Sequence, residues 1–184
     1  MYGLVNQAVK DLVLTAFGAP TWQEITERAG IRTDPFLAMS PYPDDVTYRL
    51  VAAAEEVLGT PADEILHTFG EFWIGYSAEH GYGELLALMG DDLPSFLLAL
   101  DGMHDRLRLS YPELNPPSIW CSEVTPRSLV VHYASDRPGL APFMAGLLQA
   151  TARRFGERAE VELVRSRAEG HDHEEFLVRR FPAV

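Results

Sequence analysis

Along the first two thirds of the chain, apolar residues recur at the helical period. Leu4, Val5, Ala8, Val9, Leu12, Val13, Ala16 and Phe17 follow an i, i+1, i+4, i+5 spacing, which lays one greasy stripe along a helix. Gly18 and Pro20 end that helix, and Thr21 is placed to cap a short one through Arg28 that closes at Gly30. The turn residues from Pro41 to Asp45 open a helix carrying Tyr48, Leu50, Val51, Ala54 and Val57 as far as Gly59. Thr60 followed by Pro61 reads as a cap with proline at the first helical position, ahead of Ile65, Leu66, Phe69, Phe72, Trp73 and Tyr76. A further helix begins near Leu93–Pro94 and carries Phe96, Leu97, Leu100, Met103 and Leu107 before Pro112.

Beyond that point the period changes. Tyr111 to Pro117 holds three prolines and an asparagine and reads as a loop. Ile119–Val124 and Ser128–Tyr133 are β-like on either side of the turn residues Thr125, Pro126 and Arg127. A helix from about Leu140 to Phe155 follows, with Phe143, Leu147, Leu148 and Thr151 on one face. Val161, Leu163 and Ser166 alternate with charges as an edge strand does, and Phe176, Val178 and Phe181 mark a last strand after the turn Gly170-His171-Asp172. The expected class is α+β: a helical N-terminal part, then a small antiparallel sheet of about four strands with one helix inserted.

Composition narrows the function. The chain has 184 residues with 47% apolar side chains, enough for one globular domain without a disulfide or structural metal. One cysteine, Cys121, excludes a disulfide framework and a cysteine-rich zinc site. Lys+Arg of 15 against Asp+Glu of 27 leaves a net charge of -12, which repels nucleic acid and anionic membranes. With no apolar run of bilayer-spanning length and no basic-then-apolar leader, the expectation is a cytoplasmic protein.

Of the six histidines, His104 alone sits on an apolar stripe, four residues after Leu100 and three before Leu107. A base there must be neutral and hydrogen-bonded within the core, or bound to something. A lone imidazole also suffices as the protein's ligand to a metal that brings its other ligands along, as haem does. In Tyr133-Ala134-Ser135-Asp136-Arg137, a continuing strand would put Tyr133, Ser135 and Arg137 on one face. Two hydroxyls and a guanidinium suit a carboxylate pair or a phosphate, and an internal salt bridge of Arg137 is the plainer alternative. Cys121 reads as a small buried hydrophobe. His171-Asp172-His173-Glu174 reads as a solvated turn, with metal binding as the alternative. Asp91–Asp92 and Asp44–Asp45 read as helix-start acids.

These residues carry a family resemblance. The opening Met1-Tyr2-Gly3-Leu4-Val5-Asn6, the stretch Leu100-Asp101-Gly102-Met103-His104, the pair Pro116–Pro117 and the tyrosine-x-serine-x-arginine signature at 133–137 occur in the order and spacing of the haem-nitric oxide/oxygen-binding (H-NOX) family. That family holds the bacterial relatives of the soluble guanylate cyclase sensor domain. Phe69-Gly70-Glu71-Phe72-Trp73 and Gly139-Leu140-Ala141-Pro142 resemble its cyanobacterial members most. The resemblance implies one haem-binding domain over 1–184, with a distal helical lobe over about 1–60, a proximal lobe with the sheet over about 61–184, and haem b (iron protoporphyrin IX) buried between them. It implies His104 as the axial ligand of the iron, and Tyr133, Ser135 and Arg137 as holders of the propionates. Pro117 would press on the porphyrin, and Val5, Leu100 and Leu147 would pack against it.

The resemblance also bears on the gas. Oxygen bound to ferrous iron carries negative charge on its outer atom and needs a buried donor, whereas nitric oxide needs less help. Where the family's oxygen binders resemble one another in a distal tyrosine, this chain has Phe143, and Val9 at another distal position is apolar too. The expectation is binding of nitric oxide and carbon monoxide with poor retention of oxygen. Trp73 aligns with the same pocket, and its indole N–H is a single donor there or else a core aromatic. The implied signal is release of His104 with a movement of the lobes. With the chain ending at Val184, it would pass to a separate protein such as a histidine kinase or a cyclic-di-GMP enzyme. The rivals are a haem-binding, oxygen-activating enzyme or an oxygen-binding haem protein, a hydrolase using a histidine and an acid, and a binding module that has lost haem. Nucleophile-elbow and phosphate-loop motifs are missing from the sequence, so a non-enzyme is expected.

Overall fold

The computed structural model describes residues 1–32 and 35–182; Val184 lies outside them. The chain falls into two compact units, Met1–Phe69 and Gly70–Val184.

The first unit is helical. Helix α1 (Gly3–Phe17) is followed directly by α2 (Ala19–Arg28), and α3 (Asp44–Leu58) packs on α2. Gly18, at φ 84°, makes the bend between α1 and α2. Pro20 therefore opens α2 instead of merely ending α1, as its missing N–H allows in a first turn. Thr21 does not cap: its Oγ1 donates to the Phe17 carbonyl from within α2. Ala8, Ile25 and Leu50 are fully buried. Asn6 is fully buried too, accepting at Oδ1 from Thr47 Oγ1 at 2.6 Å and so pinning α1 to α3. The glycine of the opening motif has a steric reason. A Cβ at Gly3 would lie 2.0 Å from the Leu37 carbonyl oxygen. Asp44 and Asp45 occupy the first turn of α3, where carboxylates complement the helix dipole.

Helix α4 (Ala62–Ser77) runs from the first unit into the second. A kink over Ala78–Tyr82, where His80 and Gly81 leave helical geometry, and the short α5 (Gly83–Ala87) follow it. Sequence periodicity does not reveal this pair, because Gly81 (φ 100°) and Gly83 interrupt the stripe. Helix α6 (Leu93–Ser110) is capped by Asp92, which accepts from the Ser95 N–H at 2.8 Å. The Ser95 side chain first, and this N–H second, hold the Asp92 carboxyl below its ordinary range.

Strands β1 (Ser118–Ser122), β2 (Ser128–Ala134), β3 (Glu157–Arg165) and β4 (Glu174–Pro182) form an antiparallel sheet in the order β1-β2-β4-β3. Helix α7 (Ala141–Arg154) is inserted between β2 and β3 and packs on β3 and β4, while α6 packs on β1. The expected α+β class and inserted helix are what the structure shows. Strand β3 is an edge, broken by a register shift between Leu163 and Arg165. The core between helices and sheet is built from Leu93, Phe96, Leu97, Leu129, Val131, Met144, Leu148, Phe176 and Val178, each at most 1% exposed. Each contributes about 1.5–3 kcal/mol of burial. None of the described helices is long and apolar enough to cross a membrane.

Candidate haem-binding site

Helix α6 positions His104. Leu93, Phe96, Leu97 and Leu100 bury one face, and His104 and Leu107 prolong that stripe toward its C-terminal end at half-burial. The ring is oriented by Pro117, whose carbonyl lies 3.0 Å from His104 Nδ1. A carbonyl only accepts, so Nδ1 must carry the proton, and Nε2 keeps its lone pair. Burial, the largest influence, holds the imidazole below its ordinary pKa; the Pro117 bond and the nearby Asp101 carboxylate oppose it in part. The outcome is a neutral imidazole with one nitrogen able to bind a metal.

The proline loop is a row of acceptors because prolines bring no N–H. Arg137 Nη1 donates to the Asn115 carbonyl at 2.5 Å, Arg108 Nη2 to the Pro116 carbonyl at 3.1 Å, and His104 to the Pro117 carbonyl. The loop thus draws the candidate ligand and the candidate anion-binding arginine onto three consecutive residues. Asp101 fixes the far end by accepting from the Ile119 N–H at 3.3 Å, which joins α6 to the start of β1.

The Tyr133, Ser135 and Arg137 cluster forms differently from the strand alternation expected of it. Strand β2 stops at Ala134, and Ser135 Oγ then accepts from the Arg137 N–H at 3.2 Å, curling the chain into a tight turn. Tyr133 is 4% exposed, and Ser135 and Arg137 are half-buried. Asn115 Nδ2 donates to Asp136 at 2.9 Å, which closes the turn onto the proline loop. Arg167, from the 3₁₀ turn Arg167–Glu169, donates to the Ser135 carbonyl. This second guanidinium escapes sequence reasoning, since 32 residues separate it from Ser135.

Leu100 is buried on α6, while Leu147 and Phe143 are half-buried on α7. Gly70 explains part of the aromatic motif around it. A Cβ there would sit 2.0 Å from the Phe143 carbonyl oxygen and 2.9 Å from the Leu147 nitrogen, so α4 and α7 touch backbone to backbone. Glu71 and Arg153 clamp the same crossing at 2.8 Å. Half-buried Trp73 stacks on Tyr76 with ring centroids 6.5 Å apart. Val5 and Val9 stand on α1 in the first unit, half-buried and 8% exposed respectively.

A family model described as Haem-NO-binding matches residues 2–163. The chain belongs to this H-NOX family, whose domains are haem-based gas sensors. The soluble guanylate cyclases gcy-35 and gcy-32 of Caenorhabditis elegans are 33% and 31% identical to it, over 93% and 94% of this chain. The matched parts are 25% and 26% of those relatives, so the chain spans about a quarter of their length. Among solved structures, an H-NOX protein from S. oneidensis in the Fe(II)NO ligation state superposes with a TM-score of 0.88 at 20% identity, covering 98% of this chain and 99% of that one. The Fe(II) unliganded H-NOX protein from K. algicida gives 0.87 at 23% identity, covering 100% and 98%. At such identities the likeness concerns the fold.

Proposed function

We propose that this chain is a sensor of nitric oxide and carbon monoxide that works through haem b, held by His104. The carrying observation is the His104–Pro117 pair, which leaves a neutral, half-buried Nε2 as a metal-ligating atom. The family membership supports haem as the metal's source. Haem, when bound, supplies a ferrous iron that takes a diatomic gas.

The remaining work falls to side chains. His104 Nε2 would hold the haem iron, and the Pro117 carbonyl keeps the ring from turning. Tyr133, Ser135 and Arg137 receive the propionates, where a charge-assisted hydrogen bond is worth roughly 1.5–3 kcal/mol. Pro117, Leu100, Leu147 and Val5 supply apolar contact to the macrocycle. Phe143 and Val9 give the gas pocket no donor, which disfavours oxygen; Trp73 offers one indole N–H. Release of His104 would free α6 from its tether, and the movement of α6 would be the signal to a separate protein. A histidine kinase or a cyclic-di-GMP enzyme is the partner this reading favours, in a cytoplasmic setting and without catalysis by this domain.

Absorption spectra of the reduced protein under argon, air and nitric oxide test the reading. A Soret band that shifts with nitric oxide and persists unchanged in air is expected. A colourless protein that ignores added hemin would overturn it, and a lasting oxygen complex would overturn the selectivity.

A further inference from the structure

The face of the sheet turned away from the helices carries a second set of ligand-type side chains. Strand register sets Trp120 of β1 beside His132 of β2, His132 beside Glu175 of β4, and Glu175 beside Arg165 of β3. Val131 and Tyr133 point into the core, so His132 points out. His173 arrives on the same face from the turn before β4. The His132, His173 and Glu175 side chains are only 13%, 17% and 14% exposed, which is low for titratable groups on an outer surface.

We propose that His132, His173 and Glu175 form a site for one divalent transition-metal ion of the zinc type, with a fourth position open to water. The ligating atoms are His132 Nδ1, His173 Nε2 and Glu175 Oε1. They stand 2.9, 3.5 and 3.7 Å apart. The point equidistant from all three lies about 2.0 Å from each, the length of a zinc–nitrogen or zinc–carboxylate bond.

The outer contacts fit as well. His132 Nε2 lies 2.7 Å from Ser122 Oγ, and His173 Nδ1 lies 2.6 Å from Asp172 Oδ1. Nδ1–H of His173 donating to a carboxylate is the arrangement that orients metal-bound imidazoles and fixes their tautomer. The two nitrogens that remain, His132 Nδ1 and His173 Nε2, face each other at 2.9 Å, a contact that the ion would replace. Trp120 lies flat on His132, its centroid 4.9 Å away at 2°, and walls off one side. Two imidazoles and one carboxylate favour zinc, cobalt, nickel or copper over magnesium or calcium. The opposing group is Arg165, whose Nη1 is 3.1 Å from Glu175 Oε1; at 58% side-chain exposure it is able to swing into solvent. The order Ser122–His132–Glu175 also resembles a hydrolytic relay. But the atom within hydrogen-bond reach of His132 Nδ1 is His173 Nε2, while Glu175 stands 3.7 Å off.

The test is calorimetric titration of zinc sulfate into the purified full chain, with extended X-ray absorption at the zinc edge. One ion per chain with micromolar or tighter affinity, and a first shell containing two imidazoles, is expected. His173→Asn and Glu175→Gln should each weaken binding at least tenfold. Arg165→Ala should tighten it severalfold, and His171→Asn in the exposed turn should leave it unchanged. Circular dichroism melts confirm that each variant folds. Absence of stoichiometric binding, or binding that survives His173→Asn in a folded protein, overturns the proposal. The haem spectrum is recorded on the same samples, so this outcome is separable from that of the sensor reading.

Discussion

His104 Nδ1 and the Pro117 carbonyl, 3.0 Å apart, tie the middle of α6 to the end of the proline loop through one hydrogen bond. The acceptor belongs to the backbone, so it survives replacement of the Pro117 side chain and disappears only when residue 104 changes. His104→Gly should therefore lose most of the Soret absorbance, and added imidazole should restore it. Pro117→Ala should retain haem. Visible spectra of the purified variants check both, and normal haem uptake by His104→Gly contradicts the ligand assignment.

Phe143 provides the sharpest handle on gas preference. Phe143→Tyr adds a phenolic donor, and one hydrogen bond of ~1.4 kcal/mol slows oxygen loss about tenfold. Trp73→Phe removes a single indole N–H and should speed gas dissociation about threefold, or ~0.7 kcal/mol. Stopped-flow dissociation rates decide both, and unchanged rates in Trp73→Phe restrict that residue to packing.

Gly70 is a packing requirement. Its Cβ position falls 2.0 Å from a carbonyl oxygen on α7, and the helix backbone there cannot yield as a flexible side chain would. Gly70→Ala should destabilise the fold by about 2–3 kcal/mol through overpacking, despite alanine's better helix propensity. Urea denaturation monitored by circular dichroism measures the change.

Arg180 and Glu157 make a two-pronged ion pair between β4 and β3, with Nε–Oε2 at 2.8 Å, Nη2–Oε1 at 2.5 Å and both side chains 10% exposed. The pair raises the Arg180 pKa, the hydrogen bonds to Glu157 being the main cause. Glu157→Gln leaves that charge poorly compensated and should cost about 2 kcal/mol, measurable as a lower denaturation midpoint.

Cys121 sits half-buried on β1, and burial pushes its thiol up to about 11. The folded state therefore holds this proton more tightly than the unfolded one. Its contribution to stability is intact below the unfolded thiol's range and is lost as pH rises through about 11. Iodoacetamide should modify native Cys121 slowly at pH 8 and much faster in denaturant; rapid native labelling contradicts this.

The parts of the site legible in the sequence are those written locally. His104 stands out because the stripe through Leu100 and Leu107 leaves an imidazole where an apolar residue belongs. The turn chemistry of Asp92, Gly59 and the proline loop is likewise local. Ser135 and Arg137 carry the family signature, but their geometry does not follow from alternation, since the Ser135 turn ends the strand first. Arg167 and the grouping of His132 with His173 depend on strand register and on a hairpin of long reach, which spacing along the chain does not encode.

The irregular rim formed by β3 has a social consequence. Glu157, Arg158, Glu160, Glu162 and Arg165 crowd a strand whose ladder slips between Leu163 and Arg165. Charges and a broken ladder make a poor template for another chain's backbone. Along that border the protein discourages continuous strand-to-strand annexation by its neighbours, and whatever reads its state there has to do so through side chains.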